Sequence, residues 1–421
     1  MYSIKIPRAE LFAKVSFVLF MFFTIFTTSL PFQESIQESG EVRASNMINV
    51  LLYPFLFMLS FIAYLPKHKE LMNMFKKEKM YSVFLLWALL SIVWSSYPSV
   101  SLKRWFQIFD YMFIIAVYFT YCNSVEDVIN AIKPVVYLYL VLSILVVFTV
   151  SGAIDPRFGT WRGLTSHKNS LGEVSMICVL LTIIFYKYDK TLIRKSITIF
   201  FLLISMVLLV GANSSTALIN FMIFASSSTL FILLSAIFDR IGVGRFASLI
   251  SITTILILFL LVYTQAPELI EAMDVTGKDV TTLSDRTFLW EYILDEISSH
   301  PITGCGFRGF WVVDSPGMEK IQHIFPFMPI QAHSGYLDIT NEVGLIGIGF
   351  FAFILINYFV EVKKIGNQDV WIWFIILPLV GNITETTLFR EGSISQVFFT
   401  LAYLIPFVFQ EDNMYEPRDL K

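Results

Sequence analysis

The sequence predicts an all-α membrane protein whose chain crosses a lipid bilayer about twelve times. Of its 421 residues, 56% are hydrophobic and only 15% are charged, and the mean hydropathy is +0.69. Soluble domains carry about 25% charged residues, so a soluble core could not absorb this much apolar surface. The small net charge of −3 gives no reason to expect a nucleic acid as a partner.

The spans are predicted from apolar runs, because a membrane-spanning helix needs about 20 predominantly apolar residues. Such runs lie at about 13–31, 47–65, 80–96, 105–122, 134–151, 171–187, 196–213, 216–238, 247–264, 337–360, 370–389 and 393–410. The first run follows a basic segment without a small-residue cleavage site, so we expect it to be retained as a span. The whole chain, 1–421, is therefore predicted to be a single polytopic membrane domain.

Lys and Arg residues indicate the orientation, because cytoplasmic connections carry an excess of them. With the N-terminus inside, most of the 30 Lys and Arg residues fall on the inner side, and both termini are cytoplasmic. Six basic residues nevertheless lie at the outer mouths of spans, against this trend. They are Lys103, Arg104, Arg157, Arg162, Lys168 and Arg390.

One connection is far longer than the others. Residues 265–336 join the ninth and tenth predicted spans and lie outside on this topology. Loops longer than about 12–15 residues are usually functional or disordered, and this one is too rich in aromatic residues for disorder. We therefore expect it to fold as a cap over the outer mouth of the protein.

A short amphipathic helix is predicted inside this connection. Ser284 or Asp285 would be its N-cap, and the motif ends before Pro301. This places Arg286 in the first turn, where a cation opposes the helix dipole at a cost of about 0.3–1 kcal/mol unless an anion binds there. The alternative is a solvated Arg286 or an ion pair with Asp285 or Glu291.

A dense basic segment lies just before the sixth span. It contains Arg157, Arg162, His167 and Lys168. Guanidinium groups bind phosphate bidentately, and a lysine adds a point charge, so the set suits a pyrophosphate at the membrane surface. Snorkelling towards lipid headgroups is the alternative, and it explains one or two such residues better than a cluster.

The long connection ends in a second candidate segment. His333 lies where the chain re-enters the membrane, and an imidazole can accept a hydroxyl proton near neutral pH. Asp338 and Glu342 are four residues apart, so they share a helix face and should point to the protein interior or a wet cavity. A lone histidine is more often only hydrogen-bonded, so spacing alone leaves the role of His333 open.

Other ionisable residues fall within predicted spans. Asp110, Glu173 and Glu385 are each expected to pair with an outer basic residue in a structural or supporting role. Three widely spaced cysteines imply neither disulfides nor a metal site, and the sequence contains no phosphate-binding glycine loop. We therefore expect no metal and no cofactor.

Four ordered segments carry a resemblance to a known family. They are 284–290 (SDRTFLW), 300–307 (HPITGCGF), 332–337 (AHSGYL) and 342–347 (EVGLIG). In their order and spacing they resemble the O-antigen ligase and surface-polysaccharide polymerase superfamily. Residues 163–172 (GLTSHKNSLG) resemble an element of its exopolysaccharide-polymerase branch. Asp285 stands where the family usually has Gly, and Ser334 where it has Asn.

The resemblance implies an all-α membrane fold of the GT-C-like class with about twelve transmembrane helices. It also implies a metal-independent, inverting glycosyltransferase in the inner membrane of a bacterium, with its active site on the extracytoplasmic side. The donor would be a glycan on undecaprenyl pyrophosphate. The acceptor would be a sugar hydroxyl on another lipid-linked glycan or on a lipid A core. Membrane lipid surrounds such an enzyme, and a chain-length regulator is an expected protein partner.

The resemblance also assigns roles. His333 and Arg286 become the catalytic residues, with Arg157, Arg162, Lys168, Lys103 and Arg104 binding the pyrophosphate and His167, Asp338 and Glu342 in support. The element at 163–172 favours a polymerase over a ligase. A transporter or lipid-linked oligosaccharide flippase is the alternative from another class, but the halves of the chain show no convincing repeat.

Overall fold

A computed structural model describes the chain at residues 8–26, 47–155, 159–214, 281–324, 329–362 and 370–409, and at scattered positions between 217 and 237. These parts form α-helices, short 3₁₀ turns and connecting loops, with one isolated β-bridge between Ile154 and Trp161. The all-α class predicted from the sequence is confirmed for this part of the chain.

The helices whose bounds are described are numbered here in chain order. They are α1 (Ala9–Ile25), α2 (Met47–Lys77), α3 (Met80–Ser91), α4 (Pro98–Phe119), α5 (Val125–Thr149), α6 (Lys168–Tyr188), α7 (Leu192–Gly211), α8 (Thr281–Ser299), α9 (Pro316–Ile324), α10 (Gly335–Glu361), α11 (Trp373–Thr384) and α12 (Ile394–Val408). Helix α1 packs along α2, α6 along α7, and α3 along α10.

Among the residues that the structure describes, five helical segments are long and apolar enough to cross a bilayer. They are Leu51–Lys77, Val125–Thr149, Lys168–Tyr188, Leu192–Gly211 and Gly335–Glu361. Shorter apolar helices occur at Met80–Trp94, Val370–Ile383 and Ile394–Val408. The predicted run at 247–264 lies outside the described residues, and so does much of that at 216–238. A membrane protein is therefore supported, while the number of spans stays a prediction.

Some predicted boundaries were wrong. Helix α1 ends at Ile25, earlier than the apolar run suggested. Helix α2 continues to Lys77 rather than ending near residue 65, although Pro66 removes a backbone donor and Lys67 has non-helical dihedrals. A proline interrupts a helix without ending it when the chain regains helical geometry after the kink.

Helix α8 also begins earlier than predicted, at Thr281 rather than after Ser284 or Asp285. Arg286 therefore lies in the second turn of α8, where the opposing effect of the helix dipole is weaker. The predicted end before Pro301 is confirmed, because α8 stops at Ser299.

The described part of the long connection has its own apolar cluster. Leu289 and Ile293 of α8 pack with Trp311 and with Met318 and Ile321 of α9. Trp290 donates its indole N–H to the carbonyl of Ala332, at 2.8 Å. These contacts join α8 and α9 to the segment that leads into α10, and we call residues 281–324 together with 329–334 the cap.

Helix α10 is broken at Gly344, whose dihedrals of φ 67° and ψ −172° are far from helical. The amides of Cys305 and Gly306 donate to the carbonyls of Asn341 and Glu342, both at 2.9 Å. After the break, the amides of Leu345 and Ile346 donate to the carbonyls of residues 301 and 302, at 2.9 and 3.2 Å. The cap therefore supplies the hydrogen bonds that the broken helix cannot make for itself.

Two indoles on α3 and its 3₁₀ extension complete this junction. Trp87 donates to the carbonyl of Val343 at 3.0 Å, and Trp94 donates to the carbonyl of Gly304 at 3.1 Å. A Cβ on Gly304 would lie 2.4 Å from the backbone of Glu342. Two of the family-like segments, 300–307 and 342–347, are thus the two sides of one backbone contact.

We predict that Gly344→Ala destabilises the protein, because its backbone region is accessible almost only to glycine and a Cβ would lie 2.1 Å from the Ile302 carbonyl oxygen. The expected loss is at least about 1–3 kcal/mol. Thermal unfolding in detergent, followed by tryptophan fluorescence, measures it. Gly349→Ala on the same helix is the control, since its Cβ would meet nothing within 4 Å. Equal melting temperatures for the two variants would contradict this account of the break.

Candidate functional site

His333 is the last loop residue but one before α10. It has a positive φ of 52°, in the left-handed region that non-glycine residues seldom occupy. Ser334 follows as the N-cap of α10 and accepts the Asp338 amide through its carbonyl at 3.0 Å. Such a backbone persists only where its surroundings hold it, and it often marks functional sites.

The imidazole of His333 is paired with a carboxylate. Its Nδ1 lies 3.0 Å from Oε2 of Glu385, and both side chains are about a quarter exposed. The amide of Gln331 donates to the same carboxylate oxygen at 2.8 Å. With Nδ1 protonated and donating to Glu385, Nε2 carries the lone pair and is available as a base.

The position of Glu385 is set by a tight turn after α11. Asn382 accepts through its Oδ1 the amides of Thr387 and Leu388, at 2.9 and 3.0 Å. Gly335 packs directly against Asn382, because a Cβ there would lie 2.2 Å from the Asn382 side chain. The turn that carries Glu385 therefore sits against the first turn of α10.

Asp338 holds the two halves of this pair together. Its buried carboxylate accepts the Trp311 indole at 2.7 Å and the Ala332 amide at 3.2 Å. It also accepts the hydroxyl of Thr386. Ala332 precedes His333 and Thr386 follows Glu385, so one carboxylate fixes the backbone on both sides of the pair.

A buried ion cluster lies beside this pair. Arg308, which is 3% exposed, forms two parallel hydrogen bonds to Glu391, both 3.0 Å long. It also reaches Glu342 at 3.3 Å. Arg104 adds a contact of 3.2 Å to Glu391 and donates to the Arg308 carbonyl at 2.6 Å. The cluster joins α4, the cap, α10 and the loop before α12.

The charges of this cluster stabilise one another. Burial alone would raise the pKa of Glu391, but the nearby Arg308 and Arg104 guanidiniums lower it to about 2. Coulombic attraction from Glu391 and Glu342 likewise outweighs burial and holds the pKa of Arg308 above its ordinary value. Glu391 and Arg308 are therefore both charged at any physiological pH.

Sequence reasoning missed Arg308 and Glu391 as parts of the site. The available signal in the sequence was local: Arg308 lies between Gly306 and Gly309, directly after a family-like segment. In the structure, both glycines pack against Ser95. Close packing on both sides of a charged residue indicates that it is buried and therefore paired.

Arg390 was noted in the sequence only as a cation at the outer mouth of a span. Its Nη1 donates to Oε1 of Gln331 at 2.8 Å, and Nη2 lies 3.5 Å from the Ile330 carbonyl oxygen. Gln331 is also the residue that donates to Glu385. Arg390 is thus connected to the His333 pair through one amide side chain.

The basic segment before α6 is anchored by an ion pair. Arg162 reaches Asp155 at 2.6 Å, and its amide donates to the Ala153 carbonyl at 2.7 Å. The Trp161 amide donates to the Gly211 carbonyl at 3.0 Å, which ties the segment to the end of α7. Arg162 therefore has one carboxylate partner before any ligand binds.

His167 is the N-cap of α6, where its Nδ1 accepts the Asn169 amide at 3.2 Å. Partial burial lowers the pKa of His167, and Lys168 and Arg162 lower it further. The negative charge of Glu385 acts on it in the opposite direction. That the basic segment and the His333 pair form one site stays a prediction.

The remaining predicted residues differ in what the structure says of them. Lys103 is exposed on α4, while Arg104 next to it is part of the ion cluster. Arg157 lies outside the described residues. Arg286 is placed by its backbone in α8, and its side chain lies outside the description.

The expected pairing with an outer basic residue was wrong for Asp110, and for Glu385 it stays a prediction. Asp110 is fully buried, and neither of its oxygens has a hydrogen-bond partner among the described residues. Glu173 accepts the Ser395 hydroxyl at 2.7 Å, and Glu385 pairs with His333. In the described ranges, no group of three or more His, Cys, Asp or Glu side chains is arranged to hold a metal ion.

The chain is similar in sequence to proteins described as O-antigen or polysaccharide ligases. A family model for O-antigen ligases matches residues 199–352. A candidate polysaccharide ligase of Rickettsia typhi is 25% identical over 332 residues, which cover 74% of this chain and 76% of that protein. The resemblance to the O-antigen ligase superfamily is confirmed. A second such protein of the superfamily, from Rickettsia prowazekii, is 24% identical over 75% of this chain and 78% of its own.

A further match covers a shorter part of the chain. The exopolysaccharide production protein ExoQ of Rhizobium meliloti is 26% identical over 136 residues, about 31% of each chain. The O-antigen ligase model spans the cap and the first part of α10, including Arg308 and His333. Glu385 and Arg390 lie after the matched region in the sequence. They contact residues of that region, His333 and Gln331, in the folded protein.

We predict that Arg308→Met destabilises the protein strongly, because it leaves Glu391 and Glu342 buried with less compensation. Removing one partner of a buried ion pair typically costs about 3–5 kcal/mol. Thermal unfolding in detergent is again the measurement. Lys190→Met is the control, since the Lys190–Glu126 pair is 72% and 37% exposed and should matter little. If both variants unfold at the wild-type temperature, the cluster does not hold the cap to the helices.

Proposed function

We propose that the chain is a membrane glycosyltransferase of surface-polysaccharide biosynthesis that transfers a glycan from undecaprenyl pyrophosphate to a sugar hydroxyl. The observation that carries the proposal is the His333–Glu385 pair at 3.0 Å, set among basic residues where the cap meets α10. A carboxylate that orients an imidazole is the usual arrangement of a general base. The named relatives support glycan transfer as the reaction class.

In the proposed reaction, His333 activates the acceptor. Its Nε2 takes the proton of the acceptor hydroxyl as the oxygen attacks the anomeric carbon of the donor. The bond from that carbon to the pyrophosphate oxygen breaks, and the electron pair leaves with undecaprenyl pyrophosphate. Attack in line with the leaving group inverts the anomeric centre, and the negative charge of Glu385 stabilises the imidazolium that forms.

Basic residues would hold the leaving group as its charge grows. Arg286 and Lys168 remain assigned to the pyrophosphate, with help from Arg157, Arg162 and Lys103. Arg104 is better suited to a structural part, because its guanidinium already contacts Glu391. Asp338 supports the base by fixing the backbone beside it, and Glu342 does so by holding Arg308.

The comparisons favour a ligase, which reverses the preference drawn from the sequence. The segment at 163–172 pointed to a polymerase, and the ExoQ match supports that reading over 31% of the chain. The family model and the longer matches all belong to proteins described as ligases. We therefore propose lipid A core or a comparable surface acceptor first, and a second lipid-linked glycan as the alternative.

In the proposed topology, the chain crosses a bacterial inner membrane about twelve times. The cap then lies on the outer side, where the proposed reaction takes place. The abundance of apolar helices supports multiple crossings, and five of them meet the length by themselves. Lipid-linked donors would reach the site from the outer leaflet. A chain-length regulator remains an expected partner of the polymerase alternative.

We predict that His333→Ala lowers the turnover of purified protein by about 10²–10⁴-fold, the usual contribution of a general base. Lipid-linked glycan and acceptor are supplied in detergent, and product is separated by gel electrophoresis. The matched control is His300→Ala, which removes an exposed histidine from the same cap. Arg286→Ala should also reduce transfer. Wild-type rates in both the His333 and Arg286 variants would refute the proposal.

We predict that Glu385→Gln lowers kcat on the order of 10-fold or more without raising KM for the donor, because the amide keeps the shape but not the charge that stabilises the imidazolium. Steady-state kinetics with varied donor measure both parameters. Glu319→Gln, an exposed carboxylate on α9, is the control. A change in KM alone would instead assign Glu385 to substrate binding.

Deleting the gene separates the two acceptor classes. Loss of a ligase should leave full-length chains on the carrier lipid and a bare core. Loss of a polymerase should leave single repeat units. The same distinction can be made in vitro by offering either lipid A core or lipid-linked glycan as the acceptor.

A further inference from the structure

Arg390 differs from the other two arginines near the site. Arg104 and Arg308 both contact the Glu391 carboxylate, at distances of 3.0–3.2 Å. Arg390 contacts only neutral oxygens, at Gln331 and Ile330. Across the described ranges, no carboxylate oxygen lies within 4.0 Å of its guanidinium.

The surrounding carboxylates are already engaged. Glu391 receives two hydrogen bonds from Arg308 and a contact from Arg104, and Glu342 also faces Arg308. Asp338 accepts hydrogen bonds from the cap and from the turn after α11. Glu391 and Glu342 therefore make their direct contacts with Arg308 and Arg104, and among the described residues no carboxylate contacts Arg390 directly.

The guanidinium also has donors to spare. An arginine carries five N–H donors, and Arg390 directs one at Gln331 over 2.8 Å and another at a carbonyl 3.5 Å away. Burial lowers the pKa of Arg390 to about 10, and repulsion from Arg308 contributes to that shift. At neutral pH the guanidinium of Arg390 is therefore still charged, and a bound anion would stabilise that charge.

Gln331 fixes where this cation lies relative to the base. Its Oε1 accepts from Arg390, and its Nε2 donates to the Glu385 oxygen that pairs with His333. The amide cannot turn over without losing both contacts, because its oxygen would then face a carboxylate. Hydrogen bonds through Gln331 and Glu385 thus link the guanidinium of Arg390 to the imidazole of His333.

We propose that Arg390 binds the pyrophosphate of the lipid-linked donor, with Gln331 as the positioning residue that keeps it in line with the His333–Glu385 pair. This rests on the proposed function and adds to it a phosphate ligand from the loop between α11 and α12. The planar guanidinium fork suits two phosphate oxygens and stabilises the charge that the leaving group gains. A pyrophosphate should be preferred over a monophosphate, because it offers more negative charge and more acceptor oxygens.

The direct test is binding of undecaprenyl pyrophosphate and undecaprenyl monophosphate to the full chain in nanodiscs. Arg390→Gln should weaken binding of the pyrophosphate by about tenfold or more and reduce the preference over the monophosphate. Arg390→Lys should retain part of the affinity, since it keeps a point charge without the fork. Lys320→Gln is the control for loss of a cation elsewhere on the cap. In turnover assays, Arg390→Gln should raise KM for the donor and lower kcat.

Gln331→Glu gives a second route to the same question. It places a carboxylate 2.8 Å from Arg390, so it supplies a direct counterion and should exclude the pyrophosphate. Its other oxygen replaces the donor to Glu385, so the melting temperature is measured only to establish that the variant is folded. Weakened binding of the pyrophosphate by the folded variant is the expected result. Unchanged binding in both Gln331→Glu and Arg390→Lys would overturn the assignment, even if Arg390→Gln failed to fold.

His333→Ala separates this inference from the proposed function. It should abolish transfer and leave pyrophosphate binding intact. If His333→Ala is inactive and both Arg390 variants bind and turn over normally, Arg390 is not a phosphate ligand and the proposed function stands. If the wild type neither binds the pyrophosphate nor transfers glycan, both proposals fail.

Discussion

The unpaired backbone at the break in α10 is the constraint on which the site depends. In a lipid environment, every backbone N–H and C=O needs a partner within the protein. The break at Gly344 leaves carbonyls before it and amides after it without partners in the helix. Amides and carbonyls of residues 301–306 in the cap form hydrogen bonds with both sets. The position of the cap is therefore determined by main-chain hydrogen bonds, and the side chains of His333 and Arg308 take their places from it.

Charge pairing extends this arrangement from the cap to the loop before α12. Arg308 belongs to the cap and Glu391 to that loop, and their parallel hydrogen bonds join segments 83 residues apart in sequence. A half-satisfied buried network would weaken the fold. Of the three arginines in this region, Arg390 has only neutral partners among the residues described, and Gln331 connects it to the His333–Glu385 pair. A substrate anion is the natural complement of such a group.

Much of the fold could be predicted because helix periodicity and apolar length are local properties. The cap and the residues His333, Asp338 and Glu342 followed from one continuous segment, and they do lie together. Helix boundaries were less predictable, since a helix such as α2 can continue through Pro66 when its surroundings hold it. Arg308, Glu385 and Arg390 acquire their partners only through folding, and no spacing in the sequence brings 331, 385 and 390 together.

The hydrogen bonds between residues 301–306 and α10 bear on how a substrate glycan would reach the proposed site. Displacing this edge would break four main-chain hydrogen bonds at once, together with the Trp94 contact to Gly304. Losing these hydrogen bonds together is costly, so we expect this edge to stay in place during the proposed transfer. Donor glycans of every length would then approach His333 past the same fixed edge.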